Sequence, residues 1–405
     1  MLPSSVRHIQ YYVPESDITH RISMFQSALR DAEIALAYIS HPTDLIYFSG
    51  SIQNGILLIP SKGEPVHFVK RSLKRAEVES SLTVLPYPGR KGILNKVKEF
   101  LGMHSRLGMA MDVTPASTIP WLTEKLSGID IIDIKNIVLL QKAVKSTWEI
   151  EQMEEAAQQA DLLFQDIPTI IRPDISEIEM SAEIEKRLRI WGHSGTIRVR
   201  NPGASLGILS AASGDAALYP THFDGPVGGE GPYPYAPAGA GWKKIVPGET
   251  VIIDVVTAYN GYHSDNSRSF FIGKDVPETA KKAHDYCLDV LALLEEKLRP
   301  GHTCDQIYSD VQAWTEQHKP PQGFMGYGDN RVKFFGHGIG LELDEFPIIA
   351  AKIDVELKTN MTVAIEPKAF LPGIGPVGVE NTYVITEQGC NRLCTAEQHL
   401  VPINY

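Results

Sequence analysis

The sequence is short of the features that would place it in several large protein classes. It has four cysteines in 405 residues (Cys287, Cys304, Cys390 and Cys394), too few for a disulfide scaffold. Cys390 and Cys394 have CxxxC spacing, with no second pair to complete a zinc site, so all four read as reduced thiols. Basic residues are the minority: 38 Lys and Arg against 49 Asp and Glu give a net charge of −11. Nucleic-acid phosphates are bound through a basic footprint, so this balance argues against nonspecific nucleic-acid binding. No apolar run approaches a membrane span, and the opening MLPSSVRHIQYYVPESD lacks the apolar core of a signal peptide. The expectation is a soluble, cytoplasmic protein without a nucleic-acid or membrane partner. Core-forming material is ample: 43% of residues are apolar and 8% aromatic, which argues against disorder.

The chain divides by pattern into residues 1–145 and 146–405. In the first part a helix is expected after Ser16 and Asp17, with Ile22, Phe25, Leu29 and Ala32 on one face. Short apolar runs follow (IALAYIS, LIYFSG, ILLIP, VHFVK), punctuated by turn signals and by helical stretches near 71–80, 92–102 and 117–126. Mixed strands and helices of this kind make an α/β domain with a mixed sheet. At Ser146 the character changes. Ser146 with Glu149 forms a capping-box pattern ahead of a long helix, and Ser176 with Glu179 opens a second that stops at Gly192. A Gly/Pro-rich stretch (223–241) and a hairpin at 250–272 come next. Helices near 277–298 and 304–318 and strands at 361–370 and 378–386 then repeat the order. Two helix–helix–hairpin halves in tandem are therefore expected, an α+β domain. A faint echo supports the duplication: Asp265-Asn266-Ser267 against Glu380-Asn381-Thr382, and VIID at 251–254 against VAIE at 363–366.

The halves bring acidic residues to matching places. In the hairpin, Asn260-Gly261 suits a two-residue type I′ turn. Asp254 and Asp265 differ by an odd number, which puts both side chains on one face as opposite or diagonal neighbours. Two such carboxylates repel, and unless a cation joins them one must take up a proton. Glu366 and Glu380 lie in strand-like runs of the second half. Gly336-His337-Gly338 places glycines on both sides of an imidazole, so backbone can approach closely while the ring points into a site. An oxygen-rich set with one imidazole suits Mn²⁺, Zn²⁺, Co²⁺ or Fe²⁺. Five ligands, four of them acidic, are enough for two divalent ions, an arrangement that activates a bridging water and polarises a carbonyl or phosphoryl oxygen.

These residues resemble the creatinase/prolidase/methionine-aminopeptidase superfamily, whose catalytic domain is called the pita-bread fold. The matching pieces are Asp254 with Asp265, GHGIGLELDEFP around His337, AIEP around Glu366 and VENTYVIT around Glu380, in the family's order. The N-terminal part resembles the creatinase-type N-terminal domain, and LLQKAVKSTWEIEQMEEAA looks like the junction. The resemblance implies that Asp254 chelates one metal, that Asp265 and Glu380 bridge two, and that His337 and Glu366 hold the other, Mn²⁺ being the first choice. It implies that Glu366 handles the proton of the attacking water. It also implies hydrolysis of an N-terminal Xaa-Pro bond in a small peptide, by a homodimer.

The sequence departs from that pattern in three places. Where family peptidases carry a second histidine stands Asp344; where they tend to carry an arginine before the last glutamate stands Gly378. His222, the counterpart of an upstream catalytic and substrate-binding histidine, is separated from Asp254 by the 223–241 insertion, whose Pro and aromatic content suggests an ordered flap. Arg198 and Arg200 are candidates to hold a substrate carboxylate, and Arg268 is expected to brace the acidic cluster. The departures leave open an alternative, a non-peptidase enzyme on this fold acting on a small amide, amidine or sulfonium compound.

Overall fold

The computed structural model describes residues 11–172, 174–201, 206–328 and 330–404. Residues 1–10, the start of the segment read above for a signal peptide, lie outside the described residues. The chain forms two compact units, dividing between Lys142 and Ala143, with Arg200 grouping with the first. Among the described residues no helix is long and apolar enough to cross a membrane.

The first unit contains strands β1 (Leu36–Ile39), β2 (Gly55–Pro60), β3 (Val66–Val69), β4 (Thr83–Pro86), β5 (Arg106–Met109) and β6 (Asp130–Asp133). Its helices are α1 (Glu15–Asp31), α2 (Pro42–Ser49), α3 (Leu73–Glu79), α4 (Gly89–Leu101), α5 (Thr118–Lys125) and α6 (Lys135–Ala143). The sheet order is β4-β3-β2-β1-β5-β6. It is mixed: β1 and β3 both pair antiparallel with β2, while β1–β5, β3–β4 and β5–β6 are parallel. Helix α1 buries Ile18, Ile22, Phe25 and Leu29, the spacing of one helical face. The run LIYFSG is a correction to the strand-like reading, because it belongs to α2. Pro42 starts that helix with a preset φ, and Gly50 closes it in the left-handed conformation at φ 76°.

Arg200 is buried and ion-paired in this unit, 2.7 Å from Asp112 Oδ2 and 3.1 Å from Asp44 Oδ1. The sequence suggested it as a substrate contact, but its guanidinium is engaged by two carboxylates of the first unit. It acts there as a structural counter-charge.

The second unit repeats one motif. Helices α7 (Thr147–Ile170) and α8 (Glu177–Ile190) precede strands β7 (Leu209–Ser213), β8 (Thr250–Tyr259) and β9 (Tyr262–Ile272). Helices α9 (Glu278–Lys297) and α10 (Cys304–Gln317) precede β10 (Phe334–Gly338), β11 (Glu345–Ala350), β12 (Thr362–Ile365), β13 (Lys368–Leu371), β14 (Gly375–Gly378), β15 (Asn381–Ile385), β16 (Cys390–Arg392) and β17 (Val401–Ile403). Capping boxes start α7 and α8 at Ser146 and Ser176, and a third, Thr303 with Gln306, starts α10. The sheets run β17-β9-β8-β7 and β11-β10-β12-β15-β16, with β13-β14 as a separate ribbon. Each half has its own core. Ala157, Leu163 and Ile184 of α7 and α8 pack against Ile253, Val255 and Phe270; Val290, Leu294 and Ile307 of α9 and α10 pack against Phe335, Val363 and Ile385. All four cysteines are free thiols.

The two sequence echoes prove to be partners. Ser267 and Glu380 exchange backbone hydrogen bonds, N to O at 3.2 Å in both directions. This antiparallel bridge also sets Asp265 against Thr382, whose hydroxyl accepts from the Asp265 N–H at 2.9 Å. Each half thus meets the other acid against hydroxyl, at the seam between the sheets.

The Asp44–Arg200 pair gives a pH-dependent expectation. Burial alone would push the Asp44 carboxyl up; the His41 hydrogen bond and the Lys142 and Arg200 charges outweigh it and hold it at about 2, below its ordinary 3.8. A carboxyl depressed by folding stabilises the fold above its unfolded value, and that contribution is lost as the pH falls through the folded one. Asp44→Asn is expected to cost about 2–4 kcal/mol at neutral pH, because it leaves a buried cation short of a partner. Thermal unfolding should show the gap between wild type and variant closing between about pH 4 and about pH 2. A gap independent of pH would contradict the assignment.

Candidate metal centre

Three strands and two strand breaks deliver the site residues. Asp254 and Asp265 come from the hairpin β8–β9, where Asp254 pairs with Ser267 and Asp265 with Val256, so the two acids are diagonal neighbours on one face. Asn260 and Gly261 make the turn at φ 49° and 88°. His337 lies in β10. Its flanking glycines allow a close approach: a Cβ on Gly336 would sit 2.1 Å from the Ala364 carbonyl oxygen, and one on Gly338 would sit 2.4 Å from that of Phe346. Glu366 and Glu380 are not inside strands, as the sequence had suggested. Glu366 falls in the break between β12 and β13, where Pro367 interrupts the ladder, and Glu380 in the break between β14 and β15.

All five side chains are buried. Donor atoms of Asp265, His337 and Glu380 lie within 4.8 Å of one another. Asp265 Oδ1 and Glu380 Oε1 are buried without a hydrogen-bond partner, an arrangement that is costly unless a cation or proton meets them. His337 Nδ1 lies 2.9 Å from the Gly338 carbonyl oxygen, which places the proton of the neutral ring there and leaves the Nε2 lone pair toward the acids. Nε2 is 3.9 Å from Glu366 Oε1. These donors fit a divalent ion of the kind that accepts carboxylate and imidazole.

A sixth residue, which the sequence reading missed, stands among them. Lys368, fully buried, places Nζ 2.7 Å from Asp254 Oδ2, 2.7 Å from Glu380 Oε2 and 3.0 Å from Glu366 Oε2. A lone lysine inside the apolar run VAIEPKAFL was the signal available. Burial pushes the carboxyls of Asp254, Asp265, Glu366 and Glu380 up, and their mutual repulsion adds to it at all four. Lys368 pulls against that rise. Burial would lower the Lys368 ammonium, but Asp254, Glu380 and Glu366 outweigh it and hold it well above its ordinary value. Burial likewise opposes protonation of His337, while Asp344, Glu366 and Glu380 favour it and prevail.

Asp344 is exposed, with Oδ1 3.6 Å from His337 Nδ1, so it lies beside the imidazole on the side away from Glu366. Arg198 is exposed; its N–H donates to His263 Nε2 at 3.3 Å and its carbonyl accepts from Leu343 at 2.7 Å, so its backbone runs next to Asp344. His222 is exposed in an irregular segment after a short 3₁₀ turn (Gly214–Leu218), outside the group formed by Asp265, His337 and Glu380. Arg268 braces the seam. Its Nη1 donates to the Ser267 and Glu380 carbonyls at 2.7 and 2.9 Å, and its Nη2 to Asn381 Oδ1 at 2.9 Å.

The 223–241 segment is ordered by bonds of its own: Gly231 N–H to Gly239 O at 3.2 Å and Trp242 Nε1 to Pro232 O at 3.0 Å. Gly239 packs on Ser210 of β7, whose strand partner is Asp254. The buried Glu177 at the start of α8 ties the segment down, accepting from Ser213 N and Gly241 N at 2.8 and 2.9 Å.

Residues 151–387 match metallopeptidase family M24, and residues 21–144 match the creatinase/prolidase N-terminal domain. The chain belongs to metallopeptidase family M24. Over 385 residues it is 25% identical to the Xaa-Pro dipeptidase of Pyrococcus furiosus, covering 94% of this chain and 99% of that one. The solved prolidase from Pyrococcus furiosus superposes with a TM-score of 0.74 at 26% identity, covering 92% of this chain and 100% of that one. The prolidase from Pyrococcus horikoshii OT3 gives 0.78 at 22% identity over 94% and 100%. The fold is therefore the pita-bread catalytic domain preceded by a creatinase-type domain with a mixed sheet, and the protein is a hydrolase by family.

Removing the Glu177 anchor should loosen the loop beside Asp254. Glu177→Ala leaves two buried N–H groups without an acceptor, at a cost of about 2–3 kcal/mol. Limited proteolysis of the variant should cut within residues 223–241 well before the wild type is cut. Equal resistance would contradict the anchoring role.

Proposed function

We propose that this protein is a metal-dependent hydrolase that cleaves the N-terminal Xaa-Pro bond of dipeptides or short peptides. The observation carrying the reading is the convergence of Asp265, His337 and Glu380, from two strands and a strand break of the two duplicated halves, with two carboxylate oxygens left unpartnered. Relatives named Xaa-Pro dipeptidase and prolidase, matched over nearly the whole chain, support the substrate class. Asp265, His337 and Glu380 would hold the ion, with Mn²⁺ the first to load. A divalent ion there supplies polarisation of a scissile carbonyl and eases ionisation of water.

The chain's own residues supply the rest. Glu366, beside His337 and with its proton affinity raised by burial, takes the proton of the attacking water and returns it to the proline nitrogen as the bond breaks. The Gly338 carbonyl fixes the direction of the His337 ring, and the Asp344 carboxylate, 3.6 Å from the same nitrogen, adds negative charge on that side. Arg198 and His222 are the exposed side chains proposed to meet the substrate's ends.

A second reading has specific support. Asp344 at the imidazole and Lys368 among the acids both favour a different small substrate on this fold, an amide, amidine or sulfonium compound. Hydrolysis of Xaa-Pro dipeptides and Xaa-Pro-Xaa tripeptides by Mn²⁺-loaded protein separates the two. Cleavage, reduced at least about 10³-fold in Asp265→Asn, is expected from loss of a group that acts with the ion. No cleavage by demonstrably loaded protein would sink the peptidase reading and favour the second.

A further inference from the structure

We infer that Lys368 takes the place of one of the two divalent cations for which the five-ligand set has room, so that the centre binds a single ion. The inference deepens the proposed function and rests on its reading that Asp265, His337 and Glu380 hold an ion.

The geometry is that of a bound cation. An ammonium has three N–H donors, and here each has its own carboxylate: Asp254, Glu380 and Glu366, at 2.7, 2.7 and 3.0 Å. The carboxylates come from β8 and from two strand breaks, and the lysine is fully buried at their centre. A first-row divalent ion draws carboxylate oxygens to about 2.0–2.2 Å, so the same three oxygens cannot hold an ion and a lysine nitrogen together.

Charge agrees with geometry. Four carboxylates match two dications. With the ammonium among them the four carboxylates carry a net −3, so one dication already brings the cluster to within a single charge of neutrality and a second is not needed for balance. Among the groups that Lys368 does not touch, Asp265, the Glu380 Oε1 oxygen and His337 present donors that converge, and the oxygens of Asp265 (Oδ1) and Glu380 (Oε1) have no hydrogen-bond partner.

The neighbouring backbone is built for this arrangement. Lys368 pairs directly with Gly378 across β13 and β14. Gly378 has φ 138°, and a Cβ there would lie 2.5 Å from the Pro367 carbonyl oxygen and 2.6 Å from Lys368 Cα. A side chain at 378 is therefore excluded, so positive charge enters the cluster from the facing strand.

The test is metal stoichiometry after equilibrium dialysis of the full chain against Mn²⁺. The wild type should retain one ion per chain, Lys368→Ala two, and Lys368→Met, which keeps the bulk, one. Two ions in the wild type, or no gain in a folded Lys368→Ala, would overturn the inference. The gain of one ion reads the lysine alone. A wild type that binds no ion would overturn both the inference and the proposed metal-dependent function, whereas two ions in the wild type would overturn the inference alone. Electron paramagnetic resonance of the Mn²⁺-loaded wild type needs no variant. An isolated six-line signal is expected, and an exchange-coupled pair would overturn the inference.

Discussion

Burying four carboxylates in one cluster is the constraint to which the rest of the second unit answers. Such groups are tolerated away from water only with compensating positive charge, and each stage of the fold contributes some. Lys368 provides an ammonium among three of the acids. Arg268 binds the backbone carbonyls that carry the seam. His337 turns Nε2 toward the acids because Nδ1 is committed to the Gly338 carbonyl, and the surrounding carboxylates raise the ring's proton affinity against its burial. The two hydrophobic cores, one per half, hold these groups in register from opposite sides.

The duplication explains why the acids meet at all. Asp265-Asn266-Ser267 and Glu380-Asn381-Thr382 are the two sides of one antiparallel seam, so an acid from each half faces a hydroxyl from the other. Ser267 Oγ donates to Glu380 Oε2 at 2.8 Å, which fixes one oxygen and leaves the other without a partner. Positioning of this kind suits a site that must present lone pairs in a set direction.

Much of this was legible in the sequence. Capping boxes at Ser146 and Ser176, the Asn260-Gly261 turn and the odd spacing of Asp254 and Asp265 rest on local rules, and the hairpin register followed from them. What was illegible depended on tertiary context. LIYFSG is apolar throughout, and periodicity could not show that Pro42 and Gly50 frame a helix. Glu366 and Glu380 looked like strand residues because the ladder breaks are set by Pro367 and by the seam, both long-range features. Arg200 gave no sign that Asp44 and Asp112 would neutralise it. Lys368 left one local sign, a lysine in an apolar run two residues from Glu366, but its partners Asp254 and Glu380 lie 114 and 12 residues away and only the fold brings them to it.

The most direct measurement is anomalous diffraction from a crystal of the wild-type protein soaked in Mn²⁺. The account predicts one peak per chain, among Asp265, His337 and Glu380, with Lys368 still in contact with Asp254. Two peaks, with the Lys368 side chain displaced from the carboxylates, would contradict it.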